Sequence, residues 1–232
     1  MDVHDTTVII LAYNRYQNIS LQVRSILRHP RISRVIVSIN NVSRRFPRSW
    51  RVVDPRVRYI DQPVMRTTLS RYHIALREAG DKFLFLDDDV FITPAQIDAL
   101  LCKLDEDPEV PHGVVGQIYD PWMDRMHSFV RGHEGPADVV NCVYALTKTH
   151  LTSFFQLLQR LEIGPAMRTG FPPIADDMIL SHTGSGKPIL HSLGPLLCCP
   201  TSSMQGIAAY TAGNFFRYRM RLFKELRSLI AS

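Results

Sequence analysis

Three consecutive aspartates, Asp87-Asp88-Asp89, follow directly on the apolar run Phe83-Leu84-Phe85-Leu86. Adjacent carboxylates repel one another, and beside an apolar strand that repulsion costs stability unless a cation offsets it. All-oxygen ligation suits a hard divalent ion, Mn2+ or Mg2+. Such an ion would act as a Lewis acid on a diphosphate leaving group. Asp89 is the main expected ligand. Asp87 is a second ligand that also reaches the ribose or base side of a nucleotide, and Asp88 joins the nucleotide-binding set. His191, between two apolar stretches, is either an added imidazole ligand or a satisfied structural histidine. A second acidic pair, Asp176-Asp177, precedes Met178-Ile179-Leu180. Here Asp176 suits a helix cap and Asp177 an inward-facing carboxylate acting on an acceptor hydroxyl.

The elements that must position these groups alternate between strand and helix. Val8 to Leu11 reads as a buried strand and is followed by the polar turn Tyr13-Asn14-Arg15. Ile19, Val23, Ile26 and Leu27 have helical spacing. Arg34 to Ile39 is a second strand ending at Asn40-Asn41, and Val57 to Ile60 a third. Leu69 to Ala79 reads as a helix broken at Gly80, and Lys82 to Leu86 as the fourth strand. Thr93-Pro94-Ala95-Gln96 opens a helix with a Thr cap, Pro in the first turn and Gln closing a capping box. Strands separated by helices imply an α/β fold with a mostly parallel sheet flanked by helices. Ligands of such sheets bind beyond the carboxyl ends of the strands, where the polar clusters fall.

The second half is less regular. Gly113 to Ile118 and Asp138 to Leu146 suit strands, Leu151 to Leu161 a helix, Gly164 to Pro173 a loop, and Asp176 to Ser181 a helix start. Asn214 to Ile230 is a strong terminal helix. No repeat or linker interrupts the chain, so residues 1–232 read as one domain. It comprises a nucleotide-binding half (about 1–105), an acceptor-side half (about 106–213) and a C-terminal amphipathic helix (214–232). His182-Thr183-Gly184-Ser185-Gly186-Lys187-Pro188 resembles the end of a P-loop. It fails at Ser181, where Gly is required, and at Pro188, where Ser or Thr is required. The segment reads instead as a Gly-Ser loop able to close over substrate.

The 232 residues carry a formal charge of +5, with 45% apolar and 21% charged residues. No apolar run approaches the roughly 20 residues that span a bilayer. Met1 to Asp5 is polar and acidic, unlike a signal peptide. A soluble, cytoplasmic protein is expected. The four cysteines, Cys102, Cys142, Cys198 and Cys199, form no CxxC pair and suit reduced, mostly buried thiols. The basic charge permits nucleic acid, an anionic surface or an anionic small molecule as partner. The acidic triplet argues against nucleic acid. The terminal helix sets Phe215, Tyr218, Leu222, Leu226 and Leu229 on one side and five basic residues on the rest. It suits packing on its own domain, a homodimer contact, or peripheral contact with an anionic membrane.

Taken together, Tyr13-Asn14-Arg15, Val35 to Asn41, Arg66 to Arg71 and Asp87-Asp88-Asp89 resemble the exostosin-type hexosaminyltransferases, which are retaining GT-A glycosyltransferases. Family-2-like inverting GT-A enzymes share the first half almost as well. The resemblance implies a single Rossmann-like GT-A domain. It implies a metal-dependent hexosyltransferase of polysaccharide biosynthesis, using a UDP-sugar donor and a glycan or lipid-linked glycan acceptor. By resemblance, Tyr13, Arg15, Asn40 and Asn41 line the nucleotide site, with Arg15 and Asn41 on uracil and ribose. Arg71 contacts the diphosphate, and Arg66 stands where that family has Asn. Asp176, Asp177 and Arg217 resemble the reaction-centre residues, and Ser203 to Gly206 the closing segment. The exostosin likeness implies retention; the alternative is inversion, with Asp177 as general base. A sugar-phosphate nucleotidyltransferase would open with a Gly-rich loop and Lys after the first strand, where Ala12-Tyr13-Asn14-Arg15 stands instead.

Overall fold

A computed structural model describes residues 5–127, 129–161, 176–205, 211 and 215–231. The first half lays down β1 (Thr6–Ala12), α1 (Tyr16–Ile26), β2 (Ile32–Ile39), β3 (Val57–Asp61), α2 (Ser70–Leu76), β4 (Lys82–Asp87), β5 (Val90–Phe91) and α3 (Pro94–Glu106). The second half adds β6 (His112–Gln117), β7 (Tyr119–Asp120), β8 (Arg125–Met126), β9 (Val130–Arg131), β10 (Gly135–Pro136), β11 (Val139–Thr147) and α4 (Lys148–Arg160). The remaining described elements are α5 (Asp176–Leu180), β12 (Ile189–Leu190), β13 (Leu197–Cys198) and α6 (Phe215–Ala231). Among the described residues one sheet runs through both halves in the order β10-β12-β6-β11-β4-β1-β2-β3, with β9 paired to β6.

The run β3-β2-β1-β4 is parallel, as strand–helix alternation requires. β11 then inserts antiparallel between β4 and β6. Every residue of β1 is buried, as befits a strand paired on both edges, by β2 and β4, and covered on both faces. Side-chain alternation splits the core in two. Val8, Ile10, Leu84 and Leu86 face α1 and α3 with Ile19, Val23, Ile97 and Leu100. Ile9, Phe83 and Phe85 face the opposite layer, with Tyr72 of α2, Phe154 of α4, Ile179 of α5 and Leu222 of α6. The aspartates therefore stand at the end of a strand gripped on both faces, which is why three carboxylates can be held there.

Helix α3 begins as the sequence predicts. Thr93 N donates to Gln96 Oε1 at 3.0 Å, and Gln96 N donates to Thr93 Oγ1 at 3.3 Å. Other boundaries move. β2 starts at Ile32, two residues before the expected Arg34, and α2 ends at Leu76 rather than near Gly80. The expected loop from Gly164 to Pro173 lies outside the described residues. The segment from His182 to Lys187 is not a loop over the substrate. Ser185 N donates to Glu109 O at 3.0 Å, Lys187 Nζ pairs with Asp138 Oδ1 at 2.7 Å, and a Cβ on Gly184 would lie 2.7 Å from Glu109 O. It packs on the chain before β6, away from the strand ends. All four cysteines are free thiols, and Cys102, expected to be buried, is exposed.

Candidate active site

The carboxyl ends of β1, β2 and β4 open on one cavity of about 1590 Å³. That exceeds the roughly 300–1000 Å³ of a site for a single small ligand. Tyr13, Arg15, Asn40, Arg66, Arg71, Asp87, Asp88, Asp89, Asp176 and Asp177 all border it. Two polar clusters nearly ninety positions apart in sequence thus share one space, because α5 packs against β11, which itself pairs with β4.

The three aspartates divide their work. Asp88 is 4% exposed, and its Oδ2 accepts the backbone N–H groups of Tyr13, Asn14 and Arg15 at 2.8, 3.0 and 3.0 Å. Its Oδ1 accepts Arg15 Nη1 at 3.2 Å. This carboxylate ties the turn after β1 to the turn after β4. Asp87 and Asp89 instead face the cavity. Burial pushes the Asp87 carboxyl up to about 6; Asp89 and Asp88 push the same way, and Arg71 opposes them. Burial likewise raises Asp89, with Arg15 opposing and Asp88 adding.

Two half-buried carboxylates whose ionisation is disfavoured by their surroundings fit a hard divalent cation, which would remove that cost. Among the described residues no three His, Cys, Asp or Glu side chains converge into a metal site. The remaining coordination positions would fall to phosphate oxygens and water, the arrangement usual for Mg2+ at substrate phosphates. His191 does not contribute. It lies outside the cavity lining, its Nε2 bonds to His112 Nδ1 at 2.9 Å and its Nδ1 to Glu134 Oε1 at 2.9 Å. With both ring nitrogens engaged, the expected imidazole ligand is corrected to a structural histidine.

The arginines are equally particular. Arg71 is 6% exposed and donates through Nη2 to Asp87 Oδ1 at 2.9 Å, while its buried Nε has no partner among the described residues. Arg71 therefore stands behind the carboxylates with donor capacity to spare. Arg15 is held by Thr201, through Nε to Oγ1 at 2.8 Å and Nη2 to O at 2.9 Å, and lies 3.3 Å from Asp89 Oδ2. Its donors point at the protein rather than toward a base. Asn40 clamps the backbone of Arg66, accepting its N–H at 2.7 Å and donating to its carbonyl at 2.6 Å. That leaves the Arg66 side chain on the cavity rim. Asn41 does not reach the cavity. Its side chain donates to Asn14 Oδ1 at 3.0 Å and accepts from Ser43, so it braces the turn instead of binding ribose.

On β11, the strand paired with β4 beside the aspartates, a break in register between Asn141 and Tyr144 marks a bulge, with Cys142 at φ 61°. Bulges re-aim side chains near functional sites, and here Asn141 and Cys142 border the cavity. Asp176 is 8% exposed, and burial raises its pKa, with Arg71 opposing and Asp177 adding. Asp177 is held by Arg219, whose Nη1 and Nη2 reach Oδ1 and Oδ2 at 2.6 and 3.0 Å. The exostosin resemblance assigns Arg217 to this corner. Arg217 is exposed and outside the cavity lining, whereas Arg219, two residues on, is 3% exposed and borders the cavity. A basic residue four positions after Phe215, inside the apolar stripe of the terminal helix, was the available signal. No sequence signal pointed to Gln117, Asn141 or Thr201.

The family described as Glycosyl transferase family 2 matches residues 7–161 of the chain. A comparison with curated proteins finds no match. Among solved structures, the mannosyltransferase PcManGT from Pyrobaculum calidifontis, in complex with GDP-Man and Mn2+, superposes with a TM-score of 0.56 at 18% identity. The match covers 89% of this chain and 61% of that one. S. aureus TarS, residues 1–349 in complex with UDP-GlcNAc, gives a TM-score of 0.63 at 12% identity, over 96% of this chain and 66% of that one. The chain thus spans under two thirds of the length of either structure, and the likeness at these identities is one of fold.

Proposed function

The chain belongs to glycosyl transferase family 2, and from that premise we propose that it moves a hexosyl group from a nucleoside-diphosphate donor to a hydroxyl of a glycan or lipid-linked glycan, with inversion. The observation that carries this reading is the single cavity that Asp87, Asp89, Arg71 and Asp177 all border. A donor laid over the strand ends sets its diphosphate against Asp87, Asp89 and Arg71. Asp87 and Asp89 would hold a divalent cation, which when bound would supply Lewis acidity to the leaving diphosphate. Arg71, which borders the cavity, sets a guanidinium charge beside the phosphates.

The acceptor hydroxyl comes from the side of Asp177. Its proton passes to the carboxylate and its oxygen lone pair forms the new bond to the anomeric carbon. The bond from that carbon to the phosphate oxygen breaks, and the diphosphate keeps the electron pair. Mn2+ and either UDP or GDP are the expected ligands. The complexes of PcManGT with GDP-Man and Mn2+, and of TarS with UDP-GlcNAc, support that donor class. Retention, which the exostosin likeness implies, predicts the opposite product and would leave Asp177 to orient the acceptor only.

The test is a panel of UDP- and GDP-sugars scored for nucleotide release with Mn2+, followed by anomeric analysis of the product. An inverted anomer is expected, with loss of turnover in Asp177→Asn. A retained anomer, or an Asp177→Asn protein with full turnover, would contradict the assignment.

A further inference from the structure

Asp177 cannot do its work alone, and the group that holds it comes from the far end of the chain. Its Oδ1 accepts Arg219 Nη1 at 2.6 Å and Met178 N at 2.9 Å. Its Oδ2 accepts Arg219 Nη2 at 3.0 Å and Asn141 Nδ2 at only 3.5 Å. A carboxylate offers about four acceptor positions. Three are filled at good distance and the fourth is held at the limit of a hydrogen bond.

Arg219 is itself fixed. Its Nη2 also donates to Gln117 Oε1, on β6, and its guanidinium lies 5.2 Å over the Phe215 ring. A two-point guanidinium–carboxylate fork of this kind sets both direction and tilt. Asn141, at the bulge of β11, is buried, and its Oδ1 has no partner among the described residues. Asp177 and Arg219 both lie beyond residues 7–161, the stretch that matches the family.

We propose that Arg219 is the positioning residue for Asp177: it fills two of the four carboxylate positions, Met178 N fills a third, and the Oδ2 position that Asn141 holds weakly is left as the place where the acceptor hydroxyl docks. On entry the hydroxyl displaces the Asn141 contact and donates its hydrogen to Oδ2. Asn141 Oδ1 is then available to accept from a neighbouring hydroxyl of the same acceptor. After transfer the proton stays on Oδ2, the side away from Met178 N, until solvent removes it. The terminal helix is thereby part of the reaction centre. This inference rests on the reading of Asp177 as proton acceptor.

The experiment follows UDP or GDP release from UDP-N-acetylglucosamine and GDP-mannose with Mn2+, water serving as acceptor, together with nucleoside-diphosphate affinity by calorimetry. Arg219→Ala should lose on the order of 100-fold in kcat, the scale of a misplaced catalytic group. Its nucleoside-diphosphate affinity should stay at the wild-type value, and millimolar guanidinium ion should restore turnover. Arg217→Ala should match wild type throughout. Wild-type kcat in Arg219→Ala, or a loss of kcat that falls together with nucleotide affinity and is not rescued by guanidinium, would overturn the proposal. Should Arg219→Ala not fold, Arg219→Lys decides. It keeps the charge but not the fork, so it should lower kcat at unchanged nucleotide affinity, and wild-type kcat there overturns the proposal. Full turnover in Asp177→Asn would instead remove the reading of Asp177 itself, and a wild-type protein that turns over no donor would remove the proposed function.

Discussion

Replacing Asp88 should unfold the protein more readily than replacing either of its neighbours, although all three look alike in sequence. Asp88→Ala removes the acceptor of three backbone N–H groups, at 2.8 to 3.0 Å, and one partner of Arg15. A hydrogen bond to a charged acceptor contributes about 1.5–3 kcal/mol, and a buried N–H left unpaired costs about 1–3 kcal/mol. Simple addition would exceed 5 kcal/mol, but water from the adjoining cavity can reach part of the turn. We expect a loss of about 3–4 kcal/mol, a large share of the ~5–15 kcal/mol of an ordinary domain. Asp89→Asn removes a carboxylate that burial and Asp88 both disfavour, so its stability should stay within about 1 kcal/mol of wild type while cation binding is lost. Urea unfolding followed by fluorescence measures both, with unchanged m-values as the check on two-state behaviour. An Asp88→Ala protein within 1 kcal/mol of wild type would refute the division between one architectural and two cation-facing aspartates.

Two further outcomes test the scaffold. A Cβ on Gly116 would collide with the carbonyl oxygen of Val139 on the paired strand and lie 2.8 Å from a Leu190 methyl. Gly116→Ala should therefore cost at least about 1–3 kcal/mol by urea unfolding, and a neutral effect would mean that β6 and β11 separate easily. Asp5, paired with Arg31 and Lys82 at 2.8 and 2.9 Å, has its carboxyl held down at about 2 despite partial burial, which alone would raise it. A depressed carboxylate contributes stability above its unfolded value of 3.8, and that contribution is lost as pH falls toward about 2. The network is partly open to solvent, and screening holds the contribution to about 1 kcal/mol. The acid limb of an Asp5→Asn unfolding profile should be shallower than that of wild type between these values, and parallel profiles would show that the network does not hold Asp5.

The sheet was legible because its central strands are apolar throughout: Val8 to Leu11 and Phe83 to Leu86 have no polar face, as burial under helices on both sides demands. The cap at Thr93 was legible because its partners are three residues apart. Strands of two residues, such as Tyr119–Asp120 and Gly135–Pro136, carry no period long enough to read. At the site, the aspartates and arginines were found by type and place, but not their partners. Whether Arg15 faces a ligand or Thr201, and whether His191 offers a nitrogen or gives both to neighbours, depends on residues far away in sequence. The shift from Arg217 to Arg219 is instructive. Phe215, Leu222, Phe223 and Leu226 fix the phase of the terminal helix, and that phase turns Arg219 inward and Arg217 outward.

The central claim is that Asp87 and Asp89 hold a cation against a nucleoside diphosphate. Calorimetric titration of UDP and GDP, with and without Mn2+, tests it most directly. Binding of one of the two nucleotides that strengthens at least tenfold with Mn2+, and loses that gain in Asp89→Ala, is the expected result. Nucleotide binding indifferent to metal, or a metal gain that survives in Asp89→Ala, would contradict it.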